Sequence, residues 1–440
     1  MCTDERLHHL PQWRHSKEAY HEQRQSQGVV MLAQNNSSMT GGAQSCEHAI
    51  SHHATTKVSY ELLGAEVEQQ LAKATIDFTP STDKAPSAVA LLTKAICDVP
   101  SVSGDESFLC DVLEKHFRAL PHLEVLRDGN ALMARTHLQR NRRVIVAGHI
   151  DTVPIANNVP ARFDTIDGQT VIWGRGSVDM KSGLATQLYA ATVLDTPQHD
   201  VTWIFYDNEE VQEERNGLRR LCANHPEWVR GDFGILGEPT DAQVEGGCNG
   251  SVRVFVYFRG RTAHSARAWR GDNAVYKAIP ALERISRYSA ATVNVDGLDY
   301  RESLSVTDIR GGHAFNSIPD NVRVAINYRF APDKTPDQGI AHILEVLDGL
   351  EFDYEVDDRI AGARPGLDNP LVQEFCRHAL GEGEVVKPKY GWTDVARLSA
   401  LGIPAVNYGC GDPMLCHTDN ENCPLTHIDK CTRGLIEFLR

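Results

Sequence analysis

Short apolar stretches that alternate with helical ones restrict the fold of this sequence more than any other feature. Residues 143–147 (RVIVA) form a continuous apolar run, and similar runs occupy 201–206 (VTWIFY) and 233–236 (FGIL). Such short apolar runs are typical of strands that are buried on both faces of a sheet. Because residues 181–194, between the first two runs, have helical spacing, the pattern predicts an α/β fold in which helices flank a mixed sheet.

The periodicity changes between residues 251 and 361. The stretches follow one another as strand 251–259, helix 273–289, strands 303–311 and 321–330, helix 337–350 and strand 352–356. This β-α-β-β-α-β order is that of a ferredoxin-like α+β domain. We therefore predict a catalytic domain in two parts, 86–250 and 362–440, with a smaller domain inserted at 251–361.

Residues 1–85 differ in composition from the rest of the chain. They are rich in Gln, His, Ser and Asn and show little apolar periodicity, as in the segment QSQGVVMLAQNNSS. A segment of this kind has too few apolar residues to offset the entropy that is lost on ordering. We therefore predict a disordered extension over residues 1–85.

Charge and apolar pattern exclude several classes of protein. The formal net charge of −15 opposes binding to nucleic acid or to an anionic membrane surface. No apolar stretch approaches the roughly 18–20 residues that cross a bilayer, and the N-terminus lacks the features of a secretory signal. We expect a cytoplasmic protein whose 11 cysteines are mostly reduced thiols. Four of these lie near the end and lack the CxxC pairs of a structural zinc site: Cys410, Cys416, Cys423 and Cys431.

Acidic and imidazole side chains follow the predicted strands or lie in a glycine-rich turn before a helix. They are His149, Asp151, Asp179, Glu209, Glu210 and Glu238. In open α/β sheets, ligands bind outside the carboxyl ends of the strands, so these side chains are expected to converge on one crevice. Converging carboxylates repel each other unless a cation holds them, and Zn²⁺ suits mixed His and carboxylate ligands. A two-metal site needs a bridging carboxylate, and Asp179 on its short glycine-bounded turn suits that role.

Each of these patterns alone has a simpler explanation. An HxD sequence at a strand end often serves as a local hydrogen bond or helix cap, and an EE pair is usually a solvated surface. The repeated placement at strand ends favours the metal interpretation over these alternatives.

The ordered motifs GHIDTVP, WGRGSVDMKSG, DNEE, LGEPT, GRTAHSA, FNSIPD, WTDVARL and CHTDNE resemble those of the metallo-aminoacylase and desuccinylase superfamily. The resemblance covers about residues 87–440. Within that superfamily, ARAWRGDNAV and GWTDVARLSALGIPAVNYGCGDP resemble the succinyl-diaminopimelate desuccinylases of actinobacterial type. The resemblance to the superfamily implies a zinc-peptidase-like catalytic domain with an inserted lid and dimerisation domain. The implied reaction is hydrolysis of N-succinyl-LL-2,6-diaminopimelate to succinate and LL-diaminopimelate, a precursor of lysine and cell wall.

The resemblance also implies two Zn²⁺ ions, for which Co²⁺ can substitute. His149 and Glu238 would bind the first ion, Glu210 and His417 the second, and Asp179 both. When bound, such ions acidify the attacking water and polarise the scissile carbonyl.

Three further roles follow from the same resemblance. Asp151 would hydrogen-bond the ring of His149 and fix its tautomer. Glu209 would be the general base that takes a proton from water and passes it to the departing amine. His264 would reach the active site of a partner subunit in a homodimer and stabilise the developing oxyanion. The simpler alternative for His264 is a surface histidine with local hydrogen bonds.

Candidate residues for binding the substrate lie in FNSIPD, in NYRF at 327–330 and in WTDVARL. Two of them, Asn316 and Arg329, are candidates for binding a substrate carboxylate or the oxyanion. The planar guanidinium of arginine suits a carboxylate because it can donate two parallel hydrogen bonds. Thr393, Asp394 and Arg397 in WTDVARL are expected near the site. Each of these side chains could instead pair with a structural group.

The sequence also departs from part of the family pattern. Proteobacterial desuccinylases usually have arginine just before the Gly-Ser that opens the lid, where Cys248 and Asn249 stand here. The acyl specificity is therefore open, and an acetylornithine deacetylase, an aminoacylase or a dipeptidase acting on another N-acyl amino acid is the alternative. A non-catalytic metal-binding scaffold is the alternative from a different class. A nucleotide-binding enzyme is set aside because GRGSVDMKSG matches neither a P-loop nor GxGxxG.

Overall fold

A computed structural model describes residues 47–76, 79–82 and 85–440 of the chain. The helices in chain order are α1 (Glu47–Ala72), α2 (Ala88–Asp98), α3 (Ser107–Arg118), α4 (Lys181–Val193), α5 (Gly217–Asn224), α6 (Ala274–Ser286), α7 (Pro336–Val346), α8 (Pro370–Ala379), α9 (Val395–Ala400) and α10 (Leu425–Leu439). Within the part of the chain that is described, each helix is too short or too polar to cross a membrane.

Strands make up four sheets. In chain order they are β1 (Glu124–Asp128), β2 (Ala131–Arg135), β3 (Arg143–His149), β4 (Arg162–Ile166), β5 (Gln169–Trp173), β6 (Asp200–Tyr206), β7 (Phe233–Leu236), β8 (Glu245–Gly246), β9 (Gly250–Arg259), β10 (Thr292–Val295), β11 (Leu298–Arg301), β12 (Ser303–Gly311), β13 (Asn321–Phe330), β14 (Asp353–Ile360), β15 (Lys387–Pro388), β16 (Ala405–Asn407) and β17 (Asn422–Pro424).

The largest sheet has the strand order β1-β2-β6-β3-β7-β16-β8-β15. Its centre is parallel, because β3 pairs in parallel with β6 and β7, whereas β2 is antiparallel to β6. Successive residues of β3 pack on opposite faces: Val144 and Val146 lie in one core cluster, and Ile145 and Ala147 lie in another. The apolar runs are therefore continuous because both faces of the sheet are covered, which confirms the predicted mixed α/β architecture.

Residues of the middle region form a separate four-stranded antiparallel sheet with the order β12-β13-β9-β14. Helices α6 and α7 pack on it through one core cluster that includes Val254, Ala278 and Ile343. Strand order and helix placement are those of a ferredoxin-like fold, as predicted from the sequence. The exact domain boundaries stay a prediction.

Several short elements were not predicted. The strands of the hairpins β1–β2, β4–β5 and β10–β11 have four or five residues each and lack long apolar runs. Turn chemistry explains the first of them, because Gly129 between β1 and β2 has a φ of 63°. In the β17-β5-β4 sheet, β17 comes from the C-terminal region and pairs with β5. This pairing brings the C-terminal region next to the glycine-rich turn that contains Asp179.

Helix α1 corrects the prediction of a disordered extension over residues 1–85, of which residues 1–46 lie outside the described part. Leu63, Val67 and Leu71 recur every four residues, and the last two are completely buried in the core that contains β3. This narrow apolar stripe is diluted by the Glu, Gln and Lys residues between its members, so composition alone misses it.

We expect Leu71→Ala to lower the free energy of unfolding by about 2–5 kcal/mol, because it leaves a cavity in the core. Leu62→Ala on the same helix is the matched control, since Leu62 is 68% exposed, and should change stability by less than about 0.5 kcal/mol. Urea unfolding followed by tryptophan fluorescence measures both. Equal effects of the two substitutions would contradict the packing of this helix.

Candidate metal centre

Acidic and imidazole side chains converge at one edge of the large sheet. His149 is the last residue of β3, Glu209 and Glu210 follow β6, and Glu238 follows β7. Because β6, β3 and β7 are adjacent and parallel, their carboxyl ends lie at the same edge. His149, Asp179 and Glu210 offer ligand atoms that all lie within 4.8 Å of one another, as a metal site requires.

Asp179 lies between two imidazoles. Its Oδ1 is 3.2 Å from Nε2 of His149, and its Oδ2 is 3.3 Å from Nε2 of His417. Nε2 of His417 is also 3.1 Å from Oε2 of Glu210. A carboxylate whose two oxygens face two different imidazoles has the arrangement that a bridge between two cations needs.

Asp151 orients both the histidine and the loop after β6. Nδ1 of His149 lies 3.0 Å from the carbonyl oxygen of Asp151, so the proton on that nitrogen leaves Nε2 free to face the cluster. The Asp151 carboxylate accepts hydrogen bonds from the backbone N–H groups of Glu209 (3.1 Å) and Glu210 (3.2 Å), and from Oγ of Ser103 (2.7 Å). One buried carboxylate therefore fixes the relative positions of two strand ends.

The electrostatics of the cluster indicate missing positive charge. Burial raises the pKa of Glu209 well above its usual value, and the charge of Glu238 raises it further. Burial raises the pKa of Glu238 to about 8, and the charge of Asp179 adds to that shift. Oε1 of Glu210 and Oε1 of Glu238 are buried and have no hydrogen-bond partner among the described residues. Divalent cations would satisfy these oxygens, so this donor set fits a metal centre.

Glu421 supports the turn that contains Asp179, and sequence reasoning missed it although it ends the CHTDNE motif. One of its oxygens accepts hydrogen bonds from the N–H groups of Val178 (2.9 Å) and Asp179 (3.0 Å). The other is 2.8 Å from Nη1 of Arg175 in an ion pair whose side chains are only 1% and 4% exposed. The sequence did contain a signal for this support. Glu421 in CHTDNE and Arg175 in WGRGSVDMKSG have opposite charges and lie in two motifs of the site.

Two predicted site residues lie on adjacent loops of the inserted sheet region. His264 is exposed, and its Nδ1 accepts a hydrogen bond from the N–H of Ala266 (3.1 Å). Asn316 is also exposed, and its carbonyl accepts from the N–H of Ser265 (2.8 Å). Within the described part of a single chain, no hydrogen bond or ion pair joins either side chain to the cluster around Asp179.

The other two predicted substrate contacts have partners of their own. Arg329, in β13, is half-buried, and its Nε donates to Oδ1 of Asn327 (3.3 Å). Thr393 is buried just before α9, and its Oγ1 donates to Oδ1 of Asn407 (2.8 Å). These two side chains could still bind a ligand, through the Thr393 oxygen and through the remaining guanidinium N–H groups of Arg329.

The cysteines near the C-terminus are free thiols. Cys410, Cys423 and Cys431 are buried in the core. Cys416, which precedes His417, is half-buried, and burial raises its pKa, with a further contribution from the charge of Asp179. A neutral, packed thiol agrees with the ordinary structural role expected of these residues.

Comparison with known proteins gives a consistent result. Residues 145–440 match the model of peptidase family M20/M25/M40. The chain is 46% identical over 349 residues to the "Putative succinyl-diaminopimelate desuccinylase" of Mycobacterium tuberculosis, covering 79% of this chain and 97% of that protein. It is 43% identical over 359 residues to the succinyl-diaminopimelate desuccinylase of Corynebacterium glutamicum, with coverages of 79% and 95%.

Solved structures share the fold at low sequence identity. Aminopeptidase PepT from Bacillus cereus superposes with a TM-score of 0.65 at 22% identity, over 80% of this chain and 97% of that one. The Bacillus subtilis YxeP protein, described as a dinuclear metal-binding peptidase, superposes with a TM-score of 0.57 at 15% identity, over 80% and 96% of the two chains.

We expect Glu421→Gln to destabilise the protein by about 3–5 kcal/mol, because it leaves the buried guanidinium of Arg175 without its counter-charge. A glutamine has one oxygen acceptor and cannot serve both Arg175 and the two N–H groups. Asp419→Asn, at an exposed position two residues earlier, is the control and should behave like the wild type. A thermal melt of Glu421→Gln that matches the wild type would show that the ion pair does not support the turn.

Proposed function

Because the chain belongs to peptidase family M20/M25/M40, we propose that it is a two-metal amidohydrolase that removes the succinyl group from N-succinyl-LL-2,6-diaminopimelate. The observation that supports a hydrolase most directly is the buried cluster in which Asp179 faces two imidazoles. The names of the actinobacterial relatives support the choice of acyl group. The cytoplasmic location stays a prediction.

We assign His149 and Glu238 to one metal ion, Glu210 and His417 to the other, and Asp179 to both. Nitrogen–oxygen distances of 3.1–3.3 Å support the assignment of His149, Asp179, Glu210 and His417. The assignment of Glu238 is supported by its place after β7 and its buried, unpartnered Oε1. We propose Zn²⁺ as the metal, with Co²⁺ able to replace it, because the donors are imidazoles and carboxylates. When bound, the ions supply polarisation of the scissile carbonyl and lower the pKa of water.

Glu209 is the proposed general base. It takes a proton from the attacking water, and the same proton then moves to the nitrogen of the departing amine, so the products are a carboxylate and an amine. Burial raises the pKa of Glu209 above its usual value, which favours acceptance of a proton. The Asp151 carboxylate accepts a hydrogen bond from the backbone N–H of Glu209 and so fixes the position of the proposed base.

Substrate recognition is assigned to the lid side of the crevice. Arg329 would bind a substrate carboxylate through the N–H groups that its bond to Asn327 leaves free. Asn316 would contact the oxyanion or the acyl group, and the Thr393 oxygen would accept a hydrogen bond from the substrate. Asn249, just before β9, is buried, and its Oδ1 has no hydrogen-bond partner among the described residues.

We expect the zinc-loaded protein to hydrolyse N-succinyl-LL-2,6-diaminopimelate and to lose this activity on chelation. Glu209→Gln should lower kcat by about 10²–10⁴-fold, because the amide cannot accept the proton, while the zinc content by elemental analysis stays at the wild-type value. N-acetylornithine is the comparison substrate. Turnover of the acetyl substrate alone would indicate a deacylase of different specificity, and turnover of neither substrate with zinc bound would indicate a scaffold.

A homodimer is part of the proposal, because His264 needs a partner active site to act on. The support for a homodimer is an exposed apolar surface on the inserted region. There Trp269 is 79% exposed, Tyr276 is 69% exposed and Ile279 is 51% exposed. Exposed aromatic and aliphatic groups in one region are typical of an interface between subunits.

Subunit mixing tests whether the active site is shared. Glu209→Gln and His264→Ala should each be nearly inactive, whereas their re-associated mixture should regain about a quarter of wild-type turnover, since half of the dimers are mixed and each has one intact site. Sedimentation velocity checks the mass. Activity of the mixture that stays at the level of the separate variants would contradict a shared site.

A further inference from the structure

The loop between β6 and α5, residues 207–216, holds both Glu209 and Glu210. Its first part is fixed by the Asp151 carboxylate, which accepts their backbone N–H groups at 3.1 and 3.2 Å. The last part of the loop is fixed by other contacts. These join it to residues at α9, whereas Asp151 follows β3. These second contacts have no role in the proposed chemistry described so far.

Arg397 makes most of these second contacts. Its Nη1 and Nη2 donate to the two carboxylate oxygens of Glu213 at 3.1 and 2.9 Å, and its Nε donates to Oδ1 of Asp394 at 2.8 Å. Oδ2 of Asp394 accepts from Nδ2 of Asn216 at 3.0 Å. The side chain of Arg397 is 13% exposed and that of Asp394 is completely buried. We call this group of four residues the Arg397 clamp.

The geometry of the clamp requires arginine. A guanidinium donates two parallel hydrogen bonds to one carboxylate and a third from Nε to another, whereas a lysine ammonium is a single point of charge. Glu213 and Asn216 are both in the loop, so the clamp holds it at two points through one rigid group. Arg397 lies 184 residues from Glu213 in the sequence, so the clamp joins the two parts of the catalytic region.

The clamp also holds the chain close to the reacting groups. Glu213 follows the proposed metal ligand Glu210 by three residues, so only a short segment separates the clamp from Glu209 and Glu210. The segment from Glu209 to Val211 lies in no helix or strand, and the single 3-10 turn of the loop, Glu213–Arg215, begins after it. Its position therefore depends on the contacts at its two ends.

We propose that Arg397 is a positioning residue, which holds the loop at Glu213 and Asn216 so that Glu209 and Glu210 stay aligned with Asp179. Its effect on turnover rests on the proposed function, whereas its effect on the loop does not. Displacement of a reacting group by about 1 Å can cost about 100-fold in rate. Releasing the far end of the loop is expected to disturb that alignment, while the substrate contacts proposed for Asn316 and Arg329 in the inserted region remain.

Three variants test the clamp: Arg397→Met removes it, Arg397→Lys keeps the charge, and Arg219→Met is the control. Arg219 is exposed and donates to the backbone carbonyl of Glu213 at 3.4 Å, so it lies beside the same loop without joining the clamp. Amide hydrogen exchange over residues 207–217 is measured on the full chain, with kcat and KM on the succinyl substrate and the zinc affinity. Glu213→Gln, which weakens the fork from the loop side, replaces Arg397→Met if that variant does not fold.

In Arg397→Met we expect faster exchange in residues 207–217, weaker zinc binding, and a kcat lowered by about 10–100-fold with KM changed by less than about threefold. Arg397→Lys should recover part of kcat, and Arg219→Met should match the wild type. Unchanged exchange in the loop would overturn the proposal, as would a rise in KM without loss of kcat. A wild-type protein that turns over no substrate would refute the proposed function, and the exchange data would still decide the clamp.

Discussion

Burial of several carboxylates at one edge of the sheet is the constraint on which the rest of the structure around the site depends. The adjacent parallel strands β6, β3 and β7 end together, so Glu209, Glu210 and Glu238 are brought to the same place as His149. Removing like charges from water together is unfavourable, and the raised pKa values of Glu209 and Glu238 reflect that cost. Bound cations would remove this cost and satisfy the unpartnered buried oxygens at the same time.

Such a cluster needs a surrounding layer that keeps each acidic group in place. Asp151 holds the loop after β6, Glu421 with Arg175 holds the turn of Asp179, and the Arg397 clamp holds the far end of the same loop. Each support contains a largely buried charged group that has a hydrogen-bonding or oppositely charged partner, as buried charges need. One set of buried charges thus orients another, and both sets come from distant parts of the chain.

Sequence reasoning succeeded where the signal is local. The runs at β3, β6 and β7 are apolar at each buried position except Thr202, so the sheet could be predicted. His149 closely follows the first run, so its place at the edge of the sheet could be predicted as well, whereas its metal-binding role stays a proposal. Helix α1 was missed because Leu63, Val67 and Leu71 form a narrow stripe in a polar segment. The roles of Glu421 and Arg397 depend on partners 246 and 184 residues away, and no local pattern reports which distant group a charge will meet.

The connection between the two sheet regions is a pair of hydrogen-bonded chain segments. Cys248 leads into β9, and Ala363 follows β14; each donates its N–H to the carbonyl of the other at 3.0 Å. The two chain segments that join the ferredoxin-like sheet to the large sheet are thus hydrogen-bonded to each other, and any rotation of that region must bend both together. Asn249, beside this bridge, donates to the carbonyl of Arg301. The cluster around Asp179 is held by other contacts, those of Asp151 and of Glu421, so the junction and the cluster depend on different sets of residues.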